Sequence, residues 1–207
     1  MNPQWTRLLA GVALAATAFG VVFAAGRPLD SADLWWHMAM GDHYATEGPW
    51  PEGDPLLHTA LPEAPIQHEW LFGVAVHATE QISGFFGMRA VHGVAALAIL
   101  ALAFAILRRR GRDVPVALAG TVVFAALSVW RLAQFRPDLV SIPAALAVGA
   151  WLMQPRVPSW RSVVLLCAGI ALWANVHSLF AIGPALVFAA LIGLALRVAL
   201  ARTFSFE

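Results

Sequence analysis

No lysine occurs in this chain of 207 residues, cysteine occurs once, and charged residues make up only 12%. Each shortage closes something off. The single thiol, Cys167, allows no intramolecular disulfide, and its apolar surroundings say nothing of redox compartment. Soluble domains carry about 25% charged residues. A content of 12%, against 60% hydrophobic residues and a mean hydropathy of +0.72, therefore excludes an ordinary soluble domain. All thirteen basic residues are Arg, and a net charge of +1 supplies no basic face for nucleic acid. The most telling shortage is local. Between Asp30 and Met88 there are nine acidic residues and no basic one.

What surrounds that acidic stretch reads as membrane. Runs of roughly 17–25 apolar residues mark spanning helices, and residues 8–25, 90–107, 114–130 and 139–153 are such runs or close to it. Residues 163–196 are apolar over 34 positions, too long for one span. Asn175-Val176-His177-Ser178 interrupts them, so they divide into spans at about 162–176 and 179–196. A competing reading of residues 8–25 is a signal peptide, but the run is long for one and no A-x-A cleavage site follows. With six spans and the N-terminus inside, nine Arg fall inside, from Arg7 through the Arg108–Arg112 cluster to Arg202. Four fall outside: Arg27, Arg89, Arg131 and Arg136. Trp5 and Trp160 then sit at the inner boundary and Trp130 at the outer one, where amphipathic rings settle.

This scheme puts the polar insert, residues 26–89, outside. Within it, Ser31 or Asp30 can cap a helix from about Ala32, which Gly48 and Pro49 end. Helical spacing sets Asp33, His37, Met40 and Tyr44 on one face and Leu34, Trp35, Met38 and Ala45 on an apolar one. After a loop punctuated by Pro and Gly, residues 67–82 form a second helix. Its apolar stripe is Trp70, Leu71, Val74 and Ala78, with Glu69, His77 and Glu80 off the stripe. Both helices are too polar and short for lipid-facing spans and are expected to lie at the interface. Gly84 and Gly87 release the chain into the next span. The expected fold is all-α: one polytopic domain over residues 1–207, with about six transmembrane helices and two interfacial ones.

The insert carries Asp33-Leu34-Trp35-Trp36-His37, then Gly41, Gly48 and Asp54-Pro55, then His68-Glu69-Trp70-Leu71. Further on come Gly87-Met88-Arg89, Arg136-Pro137-Asp138 and Trp173-Ala174-Asn175-Val176-His177. This pattern resembles the GT-C class of membrane glycosyltransferases, which use polyprenyl-phosphate sugars, as the protein mannosyltransferases and aminoarabinose transferases do. The resemblance covers essentially the whole chain. It implies an integral protein of a bacterial inner membrane, moving a sugar from a polyprenyl-phosphate carrier to an acceptor on the outer face. Members are commonly much longer. The chain is therefore expected to be the N-terminal part of a longer protein, a short relative, or a scaffold without activity.

By the same resemblance Asp33 is the catalytic carboxylate, with His37, His68 and Glu69 shaping the site. Sugar transfer needs a base for the acceptor hydroxyl, and a carboxylate near apolar Trp35 and Trp36 suits that task. Arg89, Arg136 and His177 are the expected lipid-phosphate ligands, since Arg forks match phosphate oxygens. The plainer alternatives are a helix N-terminal Asp favoured by the macrodipole, snorkelling Arg side chains and a structural Arg136–Asp138 contact. His37, one turn after Asp33, can hydrogen-bond it or join Asp42, His43, His58, His68 and Glu69 as ligands for a divalent metal, without a recognised spacing. A non-catalytic membrane subunit, binding a protein partner through the acidic loop, is the rival reading. A metal-dependent membrane hydrolase is a third.

Overall fold

The computed structural model describes residues 3–27, 31–50, 55–56, 69–155 and 157–204. All regular structure among them is helical: α1 (Pro3–Ala25), α2 (Ala32–Glu47), α3 (Trp70–Arg109), α4 (Val114–Leu132), α5 (Asp138–Leu152), α6 (Trp160–Ala174) and α7 (Ile182–Phe204). A 3₁₀ turn, Ser178–Ala181, leads into α7. Helix α1 packs on α3 and α4, α2 lies along α3, α5 joins α3 to α7, and α6 sits against α5. One apolar cluster runs through the assembly, from Leu34 on α2 through Phe72 and Met88 on α3 to Leu132, Leu139 and Val176.

Four helical segments are long and apolar enough to cross a membrane: α1, α3, α4 and α7 with its leading turn. Their large apolar side chains face outward, as with Phe19, Leu127 and Phe188, each more than half exposed. A water-soluble bundle would bury that stripe; lipid removes the need. Helices α5 and α6 have 15 residues each, or about 22 Å of rise. That falls short of a hydrocarbon core of about 30 Å, so the six expected spans become four of sufficient length and two shorter apolar helices.

Helix α3 is two limbs. Gly84 interrupts it with φ 59° and ψ −165°, a conformation open in practice only to glycine. The expected junction at Gly84 is thus a real bend, separating residues 70–83 from residues 85–109. The long apolar run is broken where Asn175 ends α6 and extended His177 leads into the 3₁₀ turn. The broken end is satisfied from afar: the Asn175 carbonyl accepts from Leu71 N at 3.1 Å, and its side-chain oxygen accepts from Trp70 Nε1 at 2.9 Å. At the other end of α5, Arg110 reaches the terminal carbonyls, donating to Ala150 O at 3.1 Å and to Met153 O.

Helix α2 begins and ends where expected, but not by the expected cap. Ser31 is the extended N-cap residue, yet its hydroxyl makes no capping bond; Gly48, at φ 95°, closes the other end through its N–H to Tyr44 O. The apolar faces also differ from expectation. Helix α2 buries Leu34, His37, Met40 and Tyr44, while Trp35 is 60% exposed. On the first limb of α3, residues 70–83, the buried residues are Phe72, Gly73 and Val76, not the stripe of Trp70, Leu71, Val74 and Ala78. The reason is the contact between the two helices. A Cβ on Gly41 would lie 2.1 Å from Gly73 O, and one on Gly73 would lie 3.1 Å from His37 O. Two glycines let the backbones touch, and that contact fixes which faces are inside.

Candidate functional site

The polar residues of the insert meet the ends of α5 and α6. Asp33, in the first turn of α2, is ion-paired with Arg136, whose NH2 donates to its Oδ2. The carboxylate is about half exposed and the guanidinium less so. Arg136 also donates to Gln134 Oε1 at 3.4 Å. Arg136 lies just before α5, 103 residues from Asp33, so the pair ties the insert to the bundle.

One turn further along α2 is His37, almost fully buried. Its Nε2 is 3.7 Å from Glu69 Oε2, and the other carboxylate oxygen, Oε1, is 3.5 Å from His177 Nε2. Glu69 thus stands between two imidazoles from distant parts of the chain. Burial pushes the pKa of His37 down to about 4, with the repulsion that a protonated His177 would add as the smaller cause. His37 is therefore neutral at neutral pH, held between the edge-on rings of Trp36 and Phe72 at centroid distances of 5.1 and 4.9 Å. Behind His177, its Nδ1 is 2.7 Å from Ser141 Oγ, and Ser141 Oγ accepts from Trp173 Nε1 at 2.7 Å.

Asp33, His37, Glu69, Arg136 and His177 are thus gathered. Arg89 is not seen in an ion pair with any described residue, and its Nε is buried without a hydrogen-bond partner among them. His68, His58 and Asp54 lie outside the described residues. Among the described residues no three His, Cys, Asp or Glu side chains converge so as to hold a metal ion. Asp42 and His43 turn to other partners, His77 Nε2 at 3.6 Å and Glu47 at 3.6 Å.

The alternative offered for Arg136, a structural contact with Asp138, gives way to other pairings. Asp138 is buried and pairs with Arg131 at 3.3 Å. The partners follow from helix ends: Arg131 is in the last turn of α4 and Asp138 in the first turn of α5, each placed favourably for its own helix dipole. That leaves Arg136 for Asp33. Ser141 was not singled out by sequence, being one hydroxyl in an apolar helix. The signal that leads to it is its place one turn after Asp138, on the same face of α5.

An apolar cavity of about 350 Å³ opens between α5 and α6, lined by Ala147, Trp151, Leu165, Gly169 and Trp173 among others. Trp173 is common to it and to the polar chain. Comparison with models of known families, with curated proteins and with solved structures found no match in any of the three.

Proposed function

We propose that this protein is a membrane-embedded glycosyltransferase of GT-C type, moving a sugar from a polyprenyl-phosphate carrier to an acceptor hydroxyl on the outer face, with the N-terminus inside. The observation that carries the reading is the meeting of Asp33 with Arg136 beside the His37–Glu69–His177 group. A carboxylate and a guanidinium at one edge of an apolar bundle are the two groups that this chemistry uses. The acceptor oxygen attacks the anomeric carbon, the bond from that carbon to the carrier phosphate breaks with its electrons going to phosphate, and Asp33 takes the hydroxyl proton.

The pairing adds a condition. Asp33 and a phosphate compete for the same guanidinium. A lipid phosphate on Arg136 displaces the Asp33 carboxylate, so the base is released only when the donor is present. Arg89, carrying a charge with no ion partner among the described residues, is the second phosphate ligand in this reading. Glu69, held by both imidazoles, positions the acceptor.

The test is lipid-linked sugar turnover in membranes for the wild type and Asp33→Asn, with melting curves alongside. Loss of the base lowers transfer by roughly 10²–10⁴-fold with little change in melting. Near-normal turnover in the variant removes Asp33 from the mechanism. One observation favours a second reading: the Asp33–Arg136 pair is also what a purely structural tie would look like. In that case the protein is a non-catalytic membrane subunit whose acidic loop binds a partner. No turnover in the wild type with a full range of donors favours the subunit.

A further inference from the structure

We infer that Ser141 and Trp173 are positioning residues that fix the tautomer of His177, so that its Nε2 carries the proton and presents it to Glu69. The inference deepens the proposed site and rests on it for its functional meaning, though not for its test.

The argument is a proton inventory. Trp173 Nε1 is a donor only, and it is 2.7 Å from Ser141 Oγ. That oxygen therefore accepts from the indole. Ser141 is buried, and among the described residues His177 Nδ1, at 2.7 Å, is the other group within reach of its hydroxyl. If Ser141 donates to Nδ1, every proton in the chain has an acceptor. His177 then bears its proton on Nε2, pointing at Glu69 Oε1 3.5 Å away.

Each alternative leaves a fault. With the proton on Nδ1, His177 donates to Ser141, and the bare Nε2 lone pair faces a carboxylate oxygen. With both nitrogens protonated, Ser141 Oγ accepts twice and its own hydroxyl proton is left buried without an acceptor, a costly arrangement. The direction of the chain is thus set by the one member that cannot reverse, the indole N–H. It runs from Trp173 to Ser141 to His177 to Glu69, from the wall of the apolar cavity to the polar cluster. A histidine whose far nitrogen is held by a hydrogen bond presents a defined near nitrogen. The practical effect is a Glu69 carboxylate oriented from the His177 side before any ligand arrives.

The test reads the tautomer directly. Full-length protein with ¹⁵N-labelled histidine is placed in lipid nanodiscs, and ¹⁵N NMR distinguishes protonated from bare ring nitrogens of His177, assigned through a His177→Gln variant. The wild type is expected to show a protonated Nε2 and a bare Nδ1. Ser141→Ala is expected to weaken that preference about two- to tenfold, the effect of losing one hydrogen bond of ordinary strength. Ser141→Thr keeps the hydroxyl and restores it. Trp173→Phe, a second route to the same link, frees the serine hydroxyl to turn and weakens the preference in the same direction. A wild type with the proton on Nδ1, or an unchanged tautomer in both Ser141→Ala and Trp173→Phe, overturns the inference. No substrate is involved, so the result stands whether or not sugar transfer is detected.

Discussion

Glu69 has two carboxylate oxygens and each faces an imidazole, but the two imidazoles are not alike. His177 is hydrogen-bonded on its far side; His37 Nδ1 is buried with no partner among the described residues. His37 is a pH-sensitive member of the group, because burial disfavours its charged form. Its pKa is pushed from 6.5 down to about 4 in the folded protein. The folded state resists its protonation, so the stability it contributes is present in full above about pH 6.5. It is lost as pH falls toward 4, by about 1.4 kcal/mol per pH unit at most. Melting of the wild type is expected to fall more steeply over that window than melting of His37→Gln, which does not titrate. Parallel curves would show that His37 is not the group responsible. The residue types of the site were legible in the sequence, because Asp33, His37, Glu69, Arg136 and His177 are polar in a greasy chain. Their pairing was not. Asp33 chooses Arg136 across 103 positions, and Asp138 takes Arg131 in its place, for reasons of helix-end geometry that sequence spacing does not contain.

The all-helical architecture was legible in the sequence, whereas the number of spans and the buried faces were not. The bounds of α2, the bend at Gly84 and the break at 175–177 all follow from local rules, because Gly, Pro and Asn act on the backbone where they stand. Which face is buried depends on the neighbour. For a helix near lipid, the apolar stripe does not have to point inward, and Trp35 on α2 points out against Phe85, with ring centroids 5.7 Å apart. The contact of Gly41 with Gly73 decides the matter. Gly41→Ala puts a methyl group onto backbone that cannot move aside, and is expected to cost about 1–3 kcal/mol, read as a lowered melting temperature with loss of protection of α2 from protease. Gly11, with nothing within 4 Å of an added Cβ, is the control: Gly11→Ala should leave both unchanged. Gly84→Ala tests the bend. A side chain at φ 59°, ψ −165° is strained by roughly 1–3 kcal/mol, so the variant is expected either to melt earlier or to straighten the junction. Wild-type melting together with an unaltered bend would contradict the strain argument.

At the scale of the molecule, charge is expected to set the arrangement across the membrane: in the six-span scheme, with α5 and α6 counted as crossings, the Arg residues divide nine to four between the two sides. Cysteines placed singly at Ser83 and Ser159, both exposed, on a Cys167→Ala background, test it. A membrane-impermeant thiol reagent should label position 83 from outside and leave 159 unlabelled; the reverse pattern would invert the scheme. The membrane character of the chain was plain from composition, while the number of crossings was not, because α5 and α6 are too short for length alone to decide. The join between Asn175 and the start of α3 has a consequence in time. Trp70 and Leu71 donate hydrogen bonds to Asn175, 105 and 104 positions later. At a synthesis rate of about 5–20 residues per second, Asn175 emerges roughly 5–20 s after them. For that interval the Trp70 indole N–H and the Leu71 N–H lack their native acceptors, although Phe72 and Gly73 already have α2 to pack on. The nascent chain must therefore leave these two donors unclosed until Asn175 arrives to accept them.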